Sequence, residues 1–308
     1  MTVPHAVRPA GRFAQVIRDG VFAITAEISP PVSADKADLL NKVLPLKGLA
    51  DAVNVTDGAG ARAHMSAASA AAFMVECGVE PILQFTCRDR NRIALQSDLL
   101  GAAASGVRNV MILRGDDPAK GDQPDAKPVF DYDTRELIGL AVRMRDAGEL
   151  PSGRRIATPP GFFIGAADMP LDPQPGWSPQ ALRAKCEAGA QFVQTQFCMD
   201  AALVARYVAR LREEGLVPRL AVLIGVAPLR SARSARWIRD NLFGSVIPEA
   251  IVARLDAASD PAAEGAAICV DLIAELAAID GVAGVHVMAP GHDEIVPAVI
   301  ETARARLG

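Results

Sequence analysis

The residues able to do chemistry in this 308-residue chain gather where apolar runs end. In NVMILRGDDP (109–118), Val110, Met111, Ile112 and Leu113 run straight into Arg114, Gly115, Asp116 and Asp117. A buried parallel strand that ends in this way delivers its charges to a ligand at its carboxyl end. Four further stretches share the pattern: AITAEISPP (23–31), AVNVTDGAG (52–60), ILQFTCRDR (82–90) and FVQTQFCMD (192–200). Several strands unloading polar groups at one end form an active-site rim.

Each candidate has a chemical reading and a plain one. Glu27 lies in an apolar run directly before Ile28-Ser29-Pro30-Pro31. A partly desolvated carboxylate holds its proton more tightly than one in water and can serve as a general acid. The plain reading is an ion pair with Arg114 or Arg88. Gly115 lets a planar ligand approach the backbone, and Arg114 suits a phosphate or carboxylate. Alternatively Arg114 and Asp116 pair with each other at a solvated strand end. The turn Thr56-Asp57-Gly58-Ala59-Gly60 offers backbone N–H groups to an anion, without matching either glycine-rich nucleotide fingerprint. Strand alternation puts Gln194 and Gln196 on one side, expected inward, where two amides either read a polar heterocycle or bond within the protein.

Positioning these groups requires a regular scaffold, and the pattern supplies one. Strands are predicted at 22–29, 51–56, 80–87, 109–113, 162–167, 192–197, 220–226 and 284–288. Helical patterns alternate with them, at 33–44 with Ser33 as cap, 62–77, 91–104, 133–147, 178–188 and 201–214. Two more follow at about 231–241 and 247–257, then 262–279 and 294–306; Gly189 and Gly215 mark helix ends. The expected fold is α/β, a (β/α)8 TIM barrel forming a single domain over 1–308, with an N-terminal arm and short helix in 1–20. A doubly wound open sheet is the alternative. Two long loops, 119–132 and 168–177, read as binding walls or as surface loops stiffened by proline.

Composition narrows the function classes. Half of the residues are hydrophobic and only 5% aromatic, the net charge is −4, and the pI is about 5.7. Nothing here favours nucleic acid: there is no basic field and no aromatic base-stacking platform. No apolar run approaches the roughly 18 residues of a membrane span. The N-terminus carries no apolar signal core. The five cysteines are odd in number, widely spaced and without CxxC, which points to a reducing cytoplasm. His5, His64, His286 and His292 lack metal-ligand spacing, so no metal site is expected. A lyase acting on a carboxylate would need a metal or a strand-end lysine, and neither is in position.

Together, AEISPP (26–31), DAVNVTDGAGA (51–61), PILQFTCRDRNRIALQSDLLGA (81–102), NVMILRGD (109–116), KCEAGAQFVQTQFCMD (185–200) and GVHVMAPGHDE (284–294) resemble the methylenetetrahydrofolate reductase family. The likeness covers roughly 20 to 305, with a middle piece closer to the acetogen branch than to the enterobacterial one. It implies a flavin-dependent barrel that reduces 5,10-methylenetetrahydrofolate to 5-methyltetrahydrofolate in one-carbon and methionine metabolism. FAD would take hydride from NADH or NADPH. By position, Glu27 resembles the family's general acid and Asp116 the carboxylate beside the flavin ring. Thr56, Arg114, Gly115 and Ala166 match FAD-contacting positions, Lys185 the basic residue near the FAD phosphates, and Gln196 the glutamine that contacts the pterin. Gln84 stands where the family has a flavin-contacting histidine, and Asp168 where it has a tyrosine. The stacking aromatic after strand seven falls near Ala232, and the tyrosine and arginine after strand eight near Met288 and His292. The resemblance also implies a possible homo-oligomer and leaves the electron donor open between a nicotinamide and a protein. Its alternatives are a flavin-independent reductase with direct hydride transfer and a folate- or flavin-binding subunit of a larger complex.

Overall fold

The structure, a computed structural model, describes residues 10–308. Most of the expected N-terminal arm lies outside the described residues. Eight parallel strands follow one another around a closed barrel: β1 (Ala23–Ile28), β2 (Ala52–Val55), β3 (Pro81–Thr86), β4 (Asn109–Leu113), β5 (Phe163–Asp168), β6 (Phe192–Phe197), β7 (Ala221–Val226) and β8 (Val282–Val287). Closure is direct, with Thr25 of β1 in register with His286 of β8. The open-sheet alternative is thereby excluded.

The helices are α1 (Arg12–Arg18), α2 (Lys36–Val43), α3 (Ala67–Glu76), α4 (Arg92–Ala104), α5 (Thr134–Val142), α6 (Gln180–Glu187), α7 (Ala201–Glu213), α8 (Ala232–Asn241), α9 (Glu249–Ala257), α10 (Pro261–Ala277) and α11 (Val296–Leu307). None of the described helices is long and apolar enough to cross a membrane. Several begin where a side chain caps the first turn: Asn91 accepts from the N–H groups of Ile93 and Ala94, and Asp133 forms a reciprocal capping box with Glu136. Two predicted starts shift by three residues or more. The cap of α2 is Asp35, because Ser33 turns its hydroxyl onto Asp38. Helix α3 begins at 67 rather than 62, because 62–66 are drawn into the mouth of the barrel as described below.

Two cores follow from strand alternation. Outward-facing residues pack against the helices, whereas the inward Ala23, Ala52, Ile82, Met111, Phe192 and Leu223 form a separate cluster within the barrel. Phe13 of α1 belongs to this inner cluster and is fully buried. Its ring meets Phe192 edge-on at 5.2 Å and Phe163 at 5.6 Å, while Phe163 and Phe192 stack at 5.0 Å. Gly165 makes room for this, since a Cβ there would fall 2.2 Å from the Phe192 ring. The amino-terminal end of the barrel is therefore filled with aromatic rings, and polar groups occupy the space above them.

Candidate active site at the carboxyl ends of the strands

Directly above the aromatic plug, inward-facing polar residues form one connected network. Asn54 (β2) and Gln194 (β6) exchange amide bonds across the barrel at 2.6 and 3.1 Å. The Gln194 amide nitrogen also reaches the Thr25 hydroxyl at 3.1 Å, and that hydroxyl lies 3.0 Å from Nδ1 of His286. Nδ1 faces the Thr25 hydroxyl, which can also donate to the Val285 carbonyl at 3.2 Å, and the Gln194 amide at 3.4 Å. Nε2 of His286 faces Oε2 of Glu27 at 3.5 Å, long for a hydrogen bond. Gln84 (β3) donates to the same oxygen at 2.6 Å. Among the described residues Oε1 of Glu27 takes no hydrogen bond, so one oxygen is anchored and the other remains available to a ligand.

Glu27 is thus held by the Gln84 amide with the His286 imidazole beside it, and by neither Arg114 nor Arg88. Its side chain is 22% exposed, at the level where the lumen opens to solvent. The buried amides at its base resolve the two readings of Gln194 in favour of an internal network. Gln196, one alternation higher on β6, accepts from the N–H of Phe197 at 3.0 Å and is half-buried.

Asp57 staples the β2 and β3 ends of the mouth together. Burial pushes its carboxyl up, but two bonds from Arg90 (2.8 and 2.9 Å) and two from Thr86 (both 2.9 Å) more than offset this. The carboxyl therefore lies below its ordinary value. The predicted anion turn is in this respect internally committed. Its Gly58 N–H donates to Nε2 of His64 at 2.9 Å, and its Gly60 N–H donates to Asp116 at 2.7 Å. Thr56 is buried, with its hydroxyl 3.3 Å from Ser29. These bonds, with Met65 N–H on the carbonyl of Pro31, keep 62–66 out of α3.

Across the turn, Arg88 pairs with Asp89 and donates to the carbonyls of Gly58 (3.2 Å) and Asp116 (3.1 Å). Gly115 has φ +90°, and a Cβ there would lie 2.9 Å from that of Arg88. The exposed Arg114 does not pair with Asp116. Its guanidinium lies over the Phe130 ring at 4.5 Å and makes no hydrogen bond or ion pair among the described residues.

The β5 side of the mouth carries a second titratable cluster. Tyr207 of α7 hydrogen-bonds Asp168, and Lys185 of α6 donates to the carbonyl of Ala167 at 2.6 Å. Burial raises the Asp168 carboxyl, with Tyr207 and Lys185 opposing it. Burial lowers the Lys185 ammonium against the pull of Asp168, and the enclosed Tyr207 hydroxyl is raised well above its usual value. Lys185 thus points at the end of β5. The Ala166 side chain packs among the helix-facing core, leaving only its backbone to a ligand. Ala232 is buried at the start of α8.

The structure brings Glu27, Thr56, Gln84, Arg114, Gly115, Asp116, Asp168 and Gln196 to the same end of the barrel, at or beyond the upper halves of their strands, and Lys185 reaches that end from α6 through the Ala167 carbonyl. Sequence reasoning missed His286, Asn54 and Thr25. Their signal was parity: each shares the inward phase of its strand with a residue already singled out or with the barrel floor. The side-chain set fits a phosphate-bearing planar cofactor. Arg114 offers donors with no acceptor among the described residues, the chain at Gly115 bears no side chain, and Asp116 is the adjacent carboxylate.

Residues 12–304 match the sequence profile of methylenetetrahydrofolate reductase. A probable methylenetetrahydrofolate reductase (NADPH) of Caenorhabditis elegans is 30% identical over 196 residues, 62% of this chain and 27% of that protein. The 5,10-methylenetetrahydrofolate reductase of Pectobacterium carotovorum subsp. carotovorum is 24% identical over 298 residues, 93% of this chain and 92% of that one. The chain spans only 27% to 36% of the length of the nematode and yeast relatives it matches. Among solved structures, an uncharacterized protein from Clostridium thermocellum that binds two copies of 5-methyl-5,6,7,8-tetrahydrofolic acid superposes with a TM-score of 0.62. It is 13% identical, covers 94% of this chain and 97% of its own, and so shares the fold. With its residues 12–304 matched over nearly the full barrel, the chain belongs to the methylenetetrahydrofolate reductase family.

Proposed function

We propose that this chain reduces 5,10-methylenetetrahydrofolate to 5-methyltetrahydrofolate, using FAD and hydride from NADH or NADPH. The observation that carries the reading is Glu27, anchored through one oxygen by Gln84, with His286 beside it, at the mouth of a barrel whose family performs this reaction. FAD, when bound, supplies the hydride chemistry. Arg114, the backbone at Gly115 and Ala166, Thr56, Lys185, Gln84 and Asp168 are the residues that would hold it, with Asp116 beside its ring. The folate-binding barrel from Clostridium thermocellum supports the placement of a pterin in this fold.

The chain's own contribution is proton delivery. Gln84 holds Oε2 of Glu27, with His286 alongside at 3.5 Å, so a proton on Oε1 faces the ligand. Delivered to the bridging nitrogen of the folate, it opens the five-membered ring to an iminium that accepts hydride. Gln196 is the neighbouring amide available to the pterin.

The test is the absorption spectrum of the protein as isolated. The reading expects a yellow protein that bleaches with NADH or NADPH and recolours with methylenetetrahydrofolate. A colourless protein that binds no added FAD but still reduces the folate would replace it with direct hydride transfer from the nicotinamide.

A further inference from the structure

Among the described residues only Ala61 and Phe130 adopt positive φ without being glycine, at 53° and 44°. Both lie in loops that flank Arg114 and Asp116. The loops touch: a Cβ at Gly121 would fall 2.0 Å from the carbonyl oxygen of Ala61. A bulky aromatic in the left-handed region is disfavoured and persists only when its surroundings hold it there.

The restraints at Phe130 are visible on either side of it. Val129 N–H donates to the carbonyl of Arg88 at 2.7 Å. Asp131 accepts twice from the Arg92 guanidinium (2.8 and 3.0 Å) and once from its backbone N–H (2.9 Å). What this conformation achieves is the stack of the Phe130 ring on Arg114 at 4.5 Å. Stacking uses the face of a guanidinium and leaves its N–H edge free. With no carboxylate or carbonyl on that edge among the described residues, Arg114 is a fork held in one orientation.

We propose that Phe130 is a positioning residue whose strained backbone holds the Arg114 fork ready for an anionic group of the ligand, a phosphate or a carboxylate. The inference rests on the reading under Proposed function, which supplies both sources: the diphosphate of FAD and the glutamate carboxylate of the folate.

The experiment compares Phe130→Gly, Phe130→Tyr, Arg114→Gln and the Phe130→Gly/Arg114→Gln pair. Dissociation constants are measured for FAD, riboflavin, 5-methyltetrahydrofolate and inorganic pyrophosphate, with a melting curve for each variant. Phe130→Gly relieves the strain at 130 but also removes a ring packed against the main core, so its melting curve is used to choose a temperature at which it stays folded, and there its affinity for the anion should drop by about tenfold. Phe130→Tyr should restore the affinity, and the pair should bind no worse than Arg114→Gln alone. Loss confined to FAD and pyrophosphate, with riboflavin spared, identifies the diphosphate. Loss confined to the folate identifies the carboxylate. Affinities unchanged in Phe130→Gly, losses that add to those of Arg114→Gln, or a Phe130→Tyr that binds as poorly as Phe130→Gly would overturn the proposal. Pyrophosphate separates the two ideas: its Arg114-dependent binding should weaken in Phe130→Gly even if the protein never takes FAD, and its failure to bind the parent at all also overturns the proposal.

Discussion

Replacing Asp57 by Asn should destabilise the protein and flatten its response to acid. Asp57 is 9% exposed and its partner Arg90 17%. Breaking a buried pair from one side costs about 3–5 kcal/mol, because the remaining charge loses its compensation. Arg90 keeps Asp98 at 2.9 Å and the Phe85 ring at 4.7 Å, which places the loss near the lower end, about 3 kcal/mol. At about 2 °C per kcal/mol for a chain of this length, the melting temperature should fall by roughly 6 °C. The pH dependence follows from the sign of the shift. The folded-state value lies below 3.8, so the stabilisation is complete above 3.8 and is lost as pH falls through the lower folded value. Urea unfolding from pH 7 down into that window should show the parent losing stability faster than Asp57→Asn. Parallel curves, or a variant as stable as the parent at pH 7, would show that Asp57 does not staple β2 to β3.

Phe13→Ala removes the ring that plugs the barrel and should cost about 3–5 kcal/mol, read by denaturant titration; a loss below about 1 kcal/mol would mean α1 is dispensable to the floor. Gly115→Ala places a Cβ 2.9 Å from Arg88 at φ +90°, and should lower both stability, by about 1–2 kcal/mol, and FAD affinity. A variant matching the parent in melting and titration would contradict the close approach assigned there. Burial raises the thiols of Cys87 to about 11 and of Cys198 and Cys269 to about 12. A thiol reagent at pH 7 should accordingly label the half-buried Cys77 in the native protein and leave these three until unfolding, as counted by mass spectrometry.

The barrel was legible because buried parallel strands are written as short apolar runs, and all eight predicted strands lie within two residues of the observed ones. The rim was legible because Arg114, Asp116 and Glu27 interrupt or end such runs. Partners across the lumen were not. That Gln84 rather than an arginine holds Glu27 depends on the stagger of β1 and β3, which no local pattern encodes. His286 looked isolated in the sequence, yet the register of β1 with β8 sets it beside Thr25. The late start of α3 was hidden for the same reason: His64 and Met65 carry helical propensity, but their long-range bonds to Gly58 and Pro31 outweigh it. Arg114 was legible as an anion partner, with pairing to Asp116 as the alternative, but the ring that holds it comes from 130, in a loop with no periodicity to interpret.

The central claim is that Glu27 hands a proton to the folate while flavin chemistry proceeds without it. Rapid-mixing absorbance on Glu27→Gln, loaded with FAD, follows the two half-reactions separately. Bleaching by NADH or NADPH should retain nearly the parental rate, and recolouring by methylenetetrahydrofolate should fall by at least about 100-fold, the contribution expected of a positioned acid. Recolouring at the parental rate would remove Glu27 from the mechanism.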